Sequence, residues 1–191
     1  GAVGVWRALA SGDRAGAIIF NDSEIAAVKP QRSEANAMTI LGHIVRMNHA
    51  LKVDTDEQPN PNAFNNALRR AAQIATHDVL IVIASDMAGV DADSERLVAQ
   101  MAAHNDVLTI MTHDHSRIDA FSHSLNVSDG TQQTEVNFTD KTTRDHLKSD
   151  FDQEQHKLEK HLRRLAAPML MISNGEDTVT QLRRLFGVPL R

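Results

Sequence analysis

Ser85 and Asp86 stand side by side where the apolar run Val79–Ala84 ends. A hydroxyl and a carboxylate at that place suit two jobs. They cap the next element, or they bind a ligand or hard cation beyond the C-terminal edge of a parallel sheet. Asp114 follows a second apolar run, "DVLTIMTHD" (106–114), and Asn174 follows a third, "PMLMIS" (168–173). On this reading Asp86, Asp114 and Asn174 share one sheet edge. "THDHS" (112–116) places two histidines around Asp114, which is metal-ligand chemistry. No third ligand follows at helical or hairpin spacing, so an exposed polar loop is the simpler reading. His104, His146, His156 and His161 fall on polar helix faces. A phosphate or dinucleotide loop needs clustered glycines entering a helix, and the nine glycines are scattered. No Gly-x-Ser-x-Gly turn offers a hydrolase nucleophile.

These residues need a scaffold, and the totals allow one. The 191 residues suit a single domain, and 41% hydrophobic residues supply a core. Aromatic residues are only 4%, so aliphatic side chains must fill it. The net charge of −5 argues against a nucleic-acid surface, which wants a basic face. With no cysteine, disulfides and thiolate zinc sites are excluded, and a reducing compartment is comfortable. No apolar run reaches the ~20 residues that span a bilayer, and no signal peptide is visible. A cytoplasmic location is expected.

The periodicity sets out the elements. "GAVGVWRALASGD" reads as an apolar helix stopped at Gly12. It opens without Met or a helix cap, so the natural chain is expected to continue upstream. "RAGAIIF" (14–20) and "IAAVKP" (25–30) are strands joined by the turn "NDSE", giving an antiparallel hairpin with Pro30 on an edge or exit. Residues 33–51 read as a helix capped by Ser33, with Met38, Leu41, Ile44, Val45 and Leu51 on one face. Residues 52–64 are loop, and 65–75 helix. "DVLIVIASD" (78–86) is apolar throughout, which predicts a strand buried on both faces with Leu80 and Ile81 inside the sheet. A helix over 94–105 with Ser94 as cap leads to the strand at 106–114, a βαβ unit with a parallel sheet. Asp129-Gly130 marks a hairpin in a small ribbon. A long amphipathic helix (142–167) follows, with Leu147, Phe151, Leu158, Leu162 and Leu165 on its stripe and a solvated charged face. The strand 168–173 and a helix over 176–186 close the chain. Four buried parallel strands with helices between them form a doubly wound α/β sheet.

The order of "SGDRAGAIIFND" (11–22), "ASDM" (84–87) and "AAHNDVLTIMTHD" (102–114) resembles the bacterial domain-of-unknown-function family fifty-eight, relatives of the von Willebrand factor A fold. The resemblance spans nearly the whole chain, including a small strand insert before a long helix. It implies one von Willebrand factor A-like domain over residues 1–191, Rossmann-like, truncated at the N-terminus, with the first strand missing. That strand would lie between "AGAIIF" and "VLIVIA", so the chain is expected to rearrange or to self-associate as a homo-oligomer. It also implies a cation site at the sheet edge, built from an Asp-x-Ser-x-Ser segment, a Thr and an Asp. Asp86 matches the last. The Thr position falls near Asn62, and the first segment is absent.

The expected metal residues are therefore Asp86 and Asn62, a degenerate site left empty in this chain, with Asp86 serving as a capping carboxylate. No cofactor is expected here; a divalent cation such as Mg²⁺ is expected only in a longer parent. The resemblance implies protein–protein interaction rather than catalysis, through Ser85, Asp86 and Asp114. The partner implied is a MoxR-type AAA+ ATPase, and the process assembly or maturation of protein complexes. The other reading is a metal-assisted phosphohydrolase using Asp86 and Asp114.

Overall fold

A computed structural model describes residues 1–51, 60–87, 89–113, 124–128, 133–137 and 141–187. The chain forms two compact units. The first holds Gly1–Val79 and Met87–Asn105; the second holds Leu80–Asp86 and Asp106–Arg191.

The first unit opens with helix α1 (Ala2–Ala10), and Gly12, at φ 78, ends it in the left-handed conformation that glycine adopts freely. Strands β1 (Ala15–Phe20) and β2 (Ile25–Gln31) pair antiparallel, as the sequence predicts. Asn21 makes their turn by accepting from Ser23 N and Glu24 N at 3.1 and 2.8 Å. The register shifts at Gly16, where a side chain would meet the backbone of Val28 and Pro30 within 2.9 Å. Helix α2 (Glu34–Ala50) packs on this hairpin and is capped by Ser33, which accepts from Asn36 N at 3.3 Å. Buried Asn36 donates to Ala15 O on β1 and Lys29 O on β2. The inward face of α2 is Ala37, Ile40 and Met47, with Ile40 fully buried. The apolar face expected from the sequence is therefore rotated, for Met38 is 59% and Val45 53% exposed. Helix α3 (Ala63–Ile74) buries Phe64, Ala67 and Leu68, and Phe64 meets Phe20 of β1 with ring centroids 6.1 Å apart. Helix α4 (Ala92–Ala102) packs on α3 and buries Leu97, Val98 and Met101.

The second unit carries strands β3 (Leu80–Ser85), β4 (Asp106–His113) and β7 (Met169–Ser173) in a parallel sheet of order β3-β4-β7. Strands β5 (Ser124–Ser128) and β6 (Gln133–Asn137) form the expected antiparallel ribbon. Its Asp129-Gly130 turn lies outside the described residues. Helices α5 (Lys141–Arg164) and α6 (Thr178–Leu185) pack on β7. Of the expected stripe, Leu162 on α5 is buried, Leu158 on α5 and Leu165 just past it are half-buried, and the side chains of Leu147 and Phe151 lie outside the described residues.

The sheet is a mixed α/β arrangement with a parallel core, but two expectations fail. Three described strands, not four, run parallel, because β1 pairs only with β2 in its own two-stranded sheet. And β3 is not buried on both faces: Leu80 is 66% and Val82 48% exposed, and Ile81 is half-buried. The physical reason is position. β3 has a described partner on one side only, and an apolar run records hydrophobicity, not how many neighbours cover it.

Candidate functional site

In a parallel sheet all strands end on one side, so β3, β4 and β7 bring Ser85–Asp86, His113 and Ser173–Asn174 to a common edge. At β3, Ser85 Oγ donates to Asp86 Oδ1 at 3.3 Å, and the Asp86 side of the pair is exposed. The chain leaves Asp86 through Met87 at φ 62, a left-handed conformation uncommon for a residue with a side chain. Asp114 lies outside the described residues, as does His115 of the "THDHS" stretch.

At β7 the edge is held by a residue the sequence reading missed. Gln181, on α6 and buried, accepts from Ser173 N at 2.9 Å and donates to Ser173 O at 2.6 Å and to Glu176 O at 3.0 Å. One amide thus fixes both backbone groups of the last strand residue. Ser173 Oγ accepts from Gly175 N at 3.1 Å, which turns the chain at exposed Asn174. Asp177 caps α6, accepting from Thr180 N at 2.7 Å and Thr180 Oγ1 at 2.9 Å. The Thr180 backbone bond foremost holds the Asp177 carboxyl below its ordinary range.

Asn62 belongs to the first unit. It is exposed at the start of α3, and its side chain makes no cap bond. Its N–H donates to Asn60 Oδ1 at 3.0 Å; Asn60 in turn bonds Asp22, N to Oδ1 and Nδ2 to O, both at 3.1 Å. This ties the loop before α3 to the β1–β2 turn.

The best-satisfied polar cluster of the first unit joins α3 to α4. Asp91, not Ser94, caps α4: its carboxylate accepts from Asp93 N and Ser94 N, both at 2.9 Å. Ser94 is the third residue of the helix, and its Oγ accepts from Asp91 N at 3.1 Å, closing a capping box. Buried Asn65 donates Nδ2 to both Asp91 oxygens at 3.0 Å, and Ser94 Oγ donates to Asn65 Oδ1 at 2.6 Å. These bonds, led by that from Ser94 N, lower the Asp91 pKa. Asp93 pairs with Arg69 of α3 and with Arg96. The sequence signal was "DADS", where two cap-forming residues stand three apart. Among the histidines, His156 is exposed as expected, whereas His161 is half-buried with Nε2 shielded from solvent.

Mg²⁺ takes near-octahedral oxygen ligands. At the end of β3 the second unit offers one carboxylate and one hydroxyl. Among the described residues no three His, Asp or Glu side chains converge as metal ligands would. The described residues do not by themselves make up a cation site.

The model of the family described as "Protein of unknown function DUF58" matches residues 2–161. The chain belongs to DUF58. The match covers every element of the first unit and extends through most of α5 in the second. No curated protein and no solved structure matches this DUF58 chain. Among its described residues no helix is long and apolar enough to cross a membrane.

Proposed function

We propose that the chain is a non-catalytic protein-interaction domain of von Willebrand factor A-like type. It acts with a MoxR-type AAA+ ATPase in the assembly or maturation of protein complexes. The observation that carries the reading is the apolar exposure of β3, whose Leu80 and Val82 are exposed and which, among the described strands, pairs with β4 alone. Exposed apolar surface of this kind marks interaction sites. The resemblance of the "ASDM" stretch to the family's sheet edge supports the same reading. Ser85, Asp86 and Asp114 are then contact residues at that edge. By the resemblance, Asp86 and Asn62 each stand at a ligand position of that fold's cation site, and the interaction proposed needs no resident cofactor. A Mg²⁺-assisted phosphohydrolase is the competing reading.

The test is a titration of the chain into the MoxR-type ATPase encoded nearest to it, read by calorimetry with ATP present. Saturable binding supports the proposal. Phosphatase turnover by the chain alone in Mg²⁺, abolished by Asp86→Ala, overturns it.

A further inference from the structure

Asn174 and Gly175 form the turn that leaves β7, and both are exposed. They are the one Asn-Gly pair in the chain. Such a pair carries its own chemistry. An asparagine side chain brings its amide carbon Cγ within ring-closing reach of the next residue's backbone nitrogen. A glycine in that next place leaves the approach free of a Cβ. Among the described residues no hydrogen bond holds the Asn174 side chain elsewhere.

Other asparagines are held back. Asn60 precedes Pro61, which has no N–H to give up. Asn21 Oδ1 accepts from Ser23 N and Glu24 N. Asn105 Nδ2 donates to Met101 O at 2.9 Å and to Ala75 O at 3.3 Å, while its Oδ1 accepts from Val79 N at 3.3 Å. At Asn174 the restraint is a single bond, from the Gly175 N–H to Ser173 Oγ at 3.1 Å. The nitrogen must lose that proton before it attacks, and a hydrogen bond made by the protonated form favours that form. Gln181 fixes both backbone groups of Ser173, which keeps the residue that carries the hydroxyl in place.

We propose that Asn174 is a site of self-modification at the C-terminal edge of the sheet, restrained by the Ser173 hydroxyl. The deprotonated Gly175 nitrogen attacks Asn174 Cγ, the Cγ–Nδ2 bond breaks, and Nδ2 leaves as ammonia with the proton that Gly175 released. A cyclic imide remains. Water adds to one of its two carbonyls, and the C–N bond that then breaks leaves either an aspartate or an isoaspartate at position 174. Nothing is oxidised or reduced: water enters and ammonia departs. Either product adds a negative charge to the edge that carries Asp86. The isoaspartate form also lengthens the backbone by one methylene between Ser173 O and Glu176 O, both of which Gln181 holds, and so loosens that clamp. The proposal stands apart from the interaction reading.

The experiment ages the whole chain at mildly alkaline pH and reads tryptic peptides by mass spectrometry, with an aspartate-specific protease to tell the two products apart. The peptide holding Asn174 is expected to show amide-to-acid conversion at least about tenfold faster than those holding Asn21 or Asn105. Gly175→Ala fits the fold, since its Cβ would meet only Ser173 Oγ, at 3.4 Å. It is expected to slow the conversion by about tenfold or more. Ser173→Ala is expected to speed it by about threefold or more, and Ser173→Thr, which keeps the acceptor, to restore the parent rate. Circular dichroism of all three variants should match the parent. Conversion of Asn174 no faster than that of Asn21 or Asn105 overturns the proposal. So does a rate that Gly175→Ala leaves unchanged, or equal rates for Ser173→Ala and the parent.

Discussion

Asn65 and Ser94, 29 positions apart, are joined by a buried 2.6 Å hydrogen bond in which the serine hydroxyl donates to the asparagine carbonyl. The same asparagine grips the Asp91 carboxylate, so a single side chain on α3 sets the start of α4. Asn65→Ala should therefore destabilise the chain by about 1–3 kcal/mol, because it removes the nearest acceptor of the buried Ser94 hydroxyl and the amide that bonds the Asp91 carboxylate. Ser94→Ala should cost a similar amount. The double variant should cost clearly less than the sum, since both remove the same bond. Denaturant melts of the four proteins check this.

Acid should weaken the fold at this cluster, at the α6 cap and at the Glu24–Arg46 pair. Asp91, Asp93 and Asp177 have ordinary carboxyl values of 3.8, and each is lowered when folded. Hydrogen bonding is the leading cause: from Ser94 N for Asp91, from the Arg96 guanidinium for Asp93, and from Thr180 N for Asp177. Glu24 is lowered from 4.5, chiefly by its bond from Arg46. A lowered folded value means that the unfolded chain takes up protons first as pH falls. The stability these groups contribute is complete above about pH 5 and is lost on descending through their folded values. The melting temperature should be nearly flat from pH 7 to 5 with respect to these groups and fall below about 4. Asp91→Asn should melt lower at neutral pH and lose less on acidification.

Gly16 is the position at which a methyl group has nowhere to go. A Cβ there would sit 2.8 Å from Pro30 N and 2.9 Å from Val28 O, both backbone atoms. Gly16→Ala should cost about 1–3 kcal/mol, the usual cost of forcing backbone apart. Gly42→Ala, on an exposed stretch of α2 with nothing within 4 Å, should be neutral or stabilising. Thermal melts that reverse this order would contradict the β1–β2 register.

Truncations should rank by exposure rather than by hydropathy. Ile40→Ala, at a fully buried site, should cost about 2–5 kcal/mol. Leu80→Ala, 66% exposed, should cost under about 1 kcal/mol, although the sequence places Leu80 inside the sheet. Equal losses in urea melts would mean that β3 is covered in solution.

Much of the element order was legible because β1 and the three parallel strands are apolar runs bounded by polar residues, as in "RAGAIIF" and "PMLMIS". What was not legible depended on neighbours. Met38 and Val45 share helical spacing with Leu41, yet the hairpin packs against Ala37 and Ile40 instead. Ser94 reads as a cap, but Asp91 three residues earlier takes that place and Ser94 completes the box. Asn65 and Gln181 are polar residues on helices with no local sign of burial. Their partners lie 29 and 8 positions away, and only the folded backbone brings them into reach. At the sheet edge, Ser85–Asp86 was found from its place after an apolar run, and Ser85 is the last residue of β3.

The central claim is that this chain acts by binding a partner protein. The most direct measurement is the ATP hydrolysis rate of the MoxR-type ATPase as the chain is titrated in. The account predicts a rate that changes and saturates at a fixed stoichiometry, with Val82→Lys shifting the midpoint to higher concentration. A rate that stays flat up to a large excess of the chain would contradict it.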